Sequence, residues 1–151
     1  MAAERLFVDT WGWLVLANDR DPSFASVTRI RAATSGQAGA WVTTDYVLDE
    51  TITRLFSAAP FVAARRFLEG VFAASRQGLL YIAHVTPEQF SKARRLRLRY
   101  RDKPRISFTD LTSFAVMREL GIKQVLTGDA HFAQAGLGFA IVPKGPGATG
   151  K

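Results

Sequence analysis

The stretch ISFTDLTSFAVMRELGIKQVLTGD, residues 106–129, decides how the chain folds. Its first three residues favour β structure, TDLTSFAVMREL reads as a helix stopped by Gly121, and KQVLT reads as a second strand. Strand, helix and strand in direct succession form the unit of a parallel sheet, because parallel neighbours need a crossover between them. Asp110 stands where the helix begins and Asp129 where the second strand ends. An acid in a first helical turn can simply complement the helix dipole, and TGD is ordinary turn chemistry. Whether the two acids do more depends on what else arrives at the same edge of the sheet.

Upstream, the alternation repeats. RLFVD is a short buried strand ending on Asp9, and WGWLVLA starts a helix that DPSF restarts, with Pro22 suited to a first turn and Gly36 to a stop. AWVTT is a strand. Thr44 caps the helix DYVLDETITRLFSA, where Val47, Leu48, Thr51 and Leu55 form one apolar face before Pro60 interrupts. A further helix, FVAARRFLEGVFAASRQ, ends near Gly78. LLYIAHV is a strand, and TPEQFSKARRLRLRY is a helix with Thr86 as cap, Pro87 in the first turn and Phe90, Ala93, Leu96 and Tyr100 on its apolar side. After KQVLT, DAHFAQAG gives a helical turn and FAIVP a last strand. The expected architecture is a three-layer α/β/α fold with a mainly parallel central sheet. One domain over residues 1–143 and a flexible tail over 144–151 are expected.

Composition narrows the class. The 151 residues are 48% hydrophobic, enough for a substantial core. No apolar run reaches the roughly 18 to 20 residues of a membrane span, and MAAERLFVDT lacks the layout of a signal peptide, so a soluble cytoplasmic chain is expected. With no cysteine, disulfides and thiolate chemistry are excluded, and two histidines, His84 and His131, are too few for an ordinary zinc site. The net charge is +7, and it is local: residues 92–105 hold eight Lys and Arg against the single acid Asp102, while the rest of the chain is neutral. That patch, including Lys92, Arg94, Arg95, Arg97 and Arg99 on the polar flank of a helix, suits a polyanionic partner. The terminal GPGATGK has P-loop spacing, but without a Ser or Thr for Mg²⁺ and a helix after it in the given sequence it is expected to be tail and not a phosphate loop.

The acids can now be placed. Asp9, Asp110 and Asp129 each fall at an expected strand exit, and Glu50 lies on the helix after the second strand. In open α/β sheets, ligand crevices form outside the carboxyl ends of the strands. Gathered carboxylates repel and raise one another's pKa unless a cation neutralises them. Oxygen ligands without cysteine favour Mg²⁺ or Mn²⁺, which can activate water and polarise a phosphoryl group. Beside a basic helix, that chemistry points to a phosphodiester.

FVDTWGW (7–13), TTDYVLDETITRL (43–55), SFTDLTSFAVMRELGI (107–122) and VLTGDAHF (125–132) resemble the four signature blocks of the PIN-domain ribonucleases, and most closely the VapC-type toxins. The resemblance implies that Asp9, Glu50, Asp110 and Asp129 bind Mg²⁺ or Mn²⁺ and activate water to cut RNA. It also implies a homodimer silenced by a cognate antitoxin, with Ser113 and Thr127 supporting the acids by hydrogen bonds. Trp11 departs from the pattern, standing where many members have a small or hydroxyl residue. A structure-specific DNA nuclease or a non-catalytic RNA-binding module would share much of this sequence pattern; a phosphoacceptor receiver would need an acidic pair that FVDTWGW lacks. Of the remaining residues, His84 is expected in the core, His131 at the surface or behind the acids, and Trp11, Trp13 and Trp41 as core or interface aromatics.

Overall fold

A computed structural model describes residues 4–144 apart from Ser35, so the tail expectation for residues 145–151 lies outside the described residues. The elements run β1 Leu6–Val8, α1 Thr10–Leu16, α2 Phe24–Thr34, β2 Trp41–Thr44, α3 Asp45–Ala58, α4 Phe61–Arg76, β3 Leu80–Ala83, α5 Pro87–Arg99, α6 Phe108–Leu120, β4 Gln124–Leu126, α7 His131–Gln134 and β5 Ala140–Val142. All five strands are parallel, in the order β3-β2-β1-β4-β5. The chain steps outward from β1 to β3 through α1 to α4, then returns past β1 through α5 to α7. Right-handed crossovers place those two sets of helices on opposite faces, which gives three layers. Strands β1 and β2 are buried along their whole length, as a doubly covered sheet requires. No helix among the described residues is long and apolar enough to cross a membrane.

Because the strand order reverses at β1, the sheet has its switch point between β1 and β4. The loops that leave those two strands part in opposite directions and open a crevice. Asp9 follows β1 directly, with its N–H donating to Leu126 O at 3.2 Å, and Thr127 follows β4. Helix α1 is seated closely here. A Cβ on Gly12 would lie 2.9 Å from Leu126 Cγ and 3.1 Å from its carbonyl oxygen, so only glycine lets α1 approach β4 this far.

Helix starts follow their caps. Thr44 Oγ1 accepts from Val47 N–H, and Thr86 and Gln89 form a reciprocal capping box ahead of α5. Three sequence expectations fail. ISF is not a strand: Ser107 is the N-cap of α6, its hydroxyl accepting from Asp110 N–H, and Phe108 is already helical. Asp110 therefore stands in a first helical turn and not at a strand exit. Pro22 precedes α2 in a turn held by Asp21, whose carboxylate accepts from Ser23 N–H. His84 is not a core residue; it follows the edge strand β3, its side chain is 80% exposed, and it lies 3.4 Å from Asp45.

Candidate active site

Four segments bring carboxylates to the crevice between β1 and β4. Asp9 comes from the end of β1, Glu50 from α3, Asp110 from the first turn of α6 and Asp129 from the turn after β4. All four line one cleft of about 300 Å³, together with Thr10, Trp11, Arg54, Arg105, Ser107, Gly128 and His131. Asp49, the neighbour of Glu50, is exposed and lines a different depression on α3.

Asp9 is only 4% exposed. Its Oδ2 accepts from Thr127 Oγ1 at 2.8 Å, while Oδ1 has no hydrogen-bond partner among the described residues. Burial pushes its pKa up to about 6; the bonds from Thr127 and from the Thr10 backbone oppose that rise, and the charges of Asp129 and Glu50 add to it. Asp110 is 5% exposed and is pushed further, to about 8. Burial is again the main cause, followed by the charge of Asp9, then the charge of Asp129 and a hydrogen bond shared with it, and last Glu50. Glu50 accepts from the Thr10 hydroxyl, which ties α3 to α1 across the cleft.

Asp129 fills two roles at once. Its Oδ1 accepts from His131 N–H at 2.8 Å, the turn role its sequence suggests, and the same carboxylate lines the cleft. His131 lies closer to the acids than its sequence position indicates. Its Nδ1 is 3.3 Å from Asp110 Oδ2 and 3.1 Å from Asp129 Oδ1. One ligand atom each of Asp110, Asp129 and His131 fall within 4.8 Å of one another. The TGDAHF spacing could have signalled this, since a residue two positions after Asp129 faces the same turn.

Ser113 does not reach the acids. It is fully buried in α6, and its hydroxyl has no hydrogen-bond partner among the described residues. Trp13 and Trp41 pack against each other in the core, whereas Trp11 lines the cleft. A Cβ on Gly128 would lie 2.5 Å from Trp11 Nε1, so the indole rests on a glycine that must stay bare.

The basic helix divides into two kinds of residue. Lys92, Arg94, Arg95 and Arg99 are exposed on α5, and Lys92, Arg95 and Arg99 join Arg118 around a groove between α5 and α6. Arg97 turns the other way. Its guanidinium donates to the carbonyls of Ile106, Tyr100 and Lys103, so it holds the loop that carries the chain from α5 to α6. Replacing Arg97 by Met should destabilise the fold by about 2 kcal/mol, because three carbonyls lose a charged donor. Urea unfolding measures that loss, and a change under about 0.5 kcal/mol would show that the loop holds itself.

Chemically, the cleft is an oxygen-rich donor set around a buried carboxylate with one unpartnered oxygen. A like-charged group of this kind, two of its members forced towards protonation, fits a hard divalent cation better than it fits itself. The PIN domain family model matches residues 6–137.

The chain belongs to the PIN-domain family.

It is 32% identical over 136 residues to the 23S rRNA-specific endonuclease VapC20 of Mycobacterium tuberculosis, a match covering 87% of this chain and 94% of that protein. The crystal structure of that VapC20, described as a sarcin-ricin loop cleaving toxin, superposes with a TM-score of 0.73 over 87% of this chain and 95% of the other. VapBC2 of Rickettsia felis, solved bound to a promoter DNA fragment, is 14% identical, with a TM-score of 0.67 over 90% of this chain and 96% of that one; at that identity the likeness is one of fold.

Proposed function

We infer that this chain is a Mg²⁺- or Mn²⁺-dependent endoribonuclease, the toxin of a toxin–antitoxin pair acting in the cytoplasm. The observation that carries this reading is the meeting of Asp9, Glu50, Asp110 and Asp129 in one cleft, with Oδ1 of Asp9 left without a hydrogen-bond donor among the described residues. A relative of 32% identity that cleaves 23S rRNA supports RNA, and specifically ribosomal RNA, as the substrate class. The complexes among the structural relatives support a cognate antitoxin as the partner. A homodimer is the assembly that the family resemblance implies.

Asp9, Asp110 and Asp129 are the ligands proposed for the cation, with Glu50 at the opposite wall. When bound, the cation supplies a water of lowered pKa and neutralises charge that builds on the phosphoryl oxygens. The chain's own residues do the rest. Thr127 fixes the rotamer of Asp9 through Oδ2, leaving Oδ1 available. Thr10 fixes Glu50, whose carboxylate can orient a water or take up its proton. His131 holds Asp110 and Asp129 together and carries a second ring nitrogen that can exchange a proton at the leaving oxygen. Lys92, Arg94, Arg95 and Arg99 would meet phosphates away from the cleft, adding affinity without reading sequence.

The test is cleavage of ribosomal RNA by the purified chain, followed by primer extension. Cutting at a discrete position with Mg²⁺ and none in EDTA is expected. Equal cutting in EDTA would refute the cation requirement, and no cutting of any RNA would refute the nuclease.

A further inference from the structure

Two guanidinium groups share the carboxylate cleft, and nothing within it uses them. Arg54 and Arg105 both line the cleft and both are exposed, and among the described residues neither guanidinium has a hydrogen-bond or ion-pair partner. Arg54 lies one turn beyond Glu50 on α3. That spacing usually favours an acid–base pair on a helix. Here no such pair forms among the described residues, and Glu50 accepts from Thr10. Arg105 comes from a different segment, the loop ahead of α6. The carbonyls on either side of it, at Lys103 and Ile106, are both held by Arg97, so its backbone is anchored.

Two exposed guanidinium groups lining a four-carboxylate cleft, neither paired with those carboxylates among the described residues, suit a ligand that is itself anionic on both sides of the acids. A nucleic-acid strand has that form: one phosphate over the acids and others flanking it. Each guanidinium fork can take two oxygens of a phosphate. We propose that Arg54 and Arg105 hold the phosphates on either side of the scissile bond, so that RNA crosses the cleft from the α3 wall to the loop before α6. The proposal rests on the nuclease reading and adds to it the path of the strand. Beyond Arg105 the loop continues through Lys103 and Arg101 towards the basic face of α5, which extends that path on one side.

The test reads binding apart from cleavage. In an Asp110→Asn background with Mg²⁺, anisotropy of a fluorescein-labelled RNA stem-loop is followed from about 50 to about 200 mM salt. Arg54→Gln and Arg105→Gln should each weaken binding about tenfold. Each should also lower the slope of log affinity against log salt by about 0.7. Arg76→Gln, at the end of α4 and outside the cleft, should change neither. An unaltered slope in the two cleft variants, or an equal loss in Arg76→Gln, overturns the proposal. So does loss of Mn²⁺ binding in Arg54→Gln, made in the otherwise unaltered chain, because the arginine would then act through Glu50. Failure of the wild-type chain to cut RNA would instead count against the nuclease, and the binding arm reads the two arginines in either case.

Discussion

Replacing Asp110 by Asn should remove RNA cleavage, by about a thousandfold or more, and still leave a folded protein that is more stable than wild type at pH 8 in EDTA. The two effects have one cause. Asp110 sits in a site that opposes its ionisation, through burial and through the charges of Asp9, Asp129 and Glu50, and its carboxyl is pushed up to about 8. A group kept in such a place at a cost to stability has a use other than folding. Asparagine keeps the shape and removes both the charge and the cost. Asp9→Asn should behave alike, with a smaller gain in stability because its shift is smaller. Cleavage of ribosomal RNA and thermal melting, measured on the same preparations, test both halves. Wild-type cleavage by Asp110→Asn would take that residue out of the reaction, and a lower melting temperature at pH 8 would mean that the carboxylate stabilises the fold.

Freed of divalent cations, the wild-type chain should lose stability relative to Asp110→Asn as the pH rises from about 4 to about 8. The sign follows from proton binding. Below pH about 4 the carboxyl is protonated in both folded and unfolded chains, and its stabilising effect is complete. Above that, the unfolded chain releases the proton while the folded chain keeps it, so stability falls until the folded group itself ionises near pH 8. The slope is up to about 1.4 kcal/mol per pH unit for each such carboxyl. Asp9 adds a similar fall that ends near pH 6 to the wild type and the variant alike. Taking the difference from Asp110→Asn cancels the ordinary carboxylates elsewhere, and saturating Mg²⁺ should flatten the curve. A difference that stays constant over this range would mean that Asp110 ionises normally.

Much of the fold was legible because its central strands are buried on both faces: LFV reads as an unbroken apolar run and WVTT as an aromatic and β-branched one. Caps were legible too, as Thr44 and Thr86 act locally and need no tertiary partner. The misreadings share a different origin. Ile106 and Phe108 look like strand residues, yet Ser107 between them caps α6, and hydrophobicity alone cannot separate a buried loop residue from a strand. His84 follows an apolar run, but β3 is the edge of the sheet, a fact about strand order that periodicity does not contain. Arg97 counts as one of the eight cations of residues 92–105, whereas its charge is spent on three loop carbonyls. Charge counts locate a patch without saying which side chains face outward. Asp9, Asp110 and Asp129 are legible because each lies at an element boundary, whereas Glu50, inside α3, is picked out only by the TTDYVLDETITRL block; their convergence becomes arguable once the sheet is seen to be parallel. His131 was undervalued because its nearness to Asp110 is a tertiary contact across 21 residues.

The central claim is that the cleft formed by Asp9, Glu50, Asp110 and Asp129 is built for a divalent cation. If so, a cation entering at pH 7 must displace the proton that burial and charge have placed on Asp110. Calorimetric titration of Mn²⁺ into the wild-type chain, in two buffers of different ionisation enthalpy, reads binding and proton release together. The account predicts saturable binding with release of about one proton, and loss of that release in Asp110→Asn. Absence of saturable Mn²⁺ binding by the wild-type chain would contradict it.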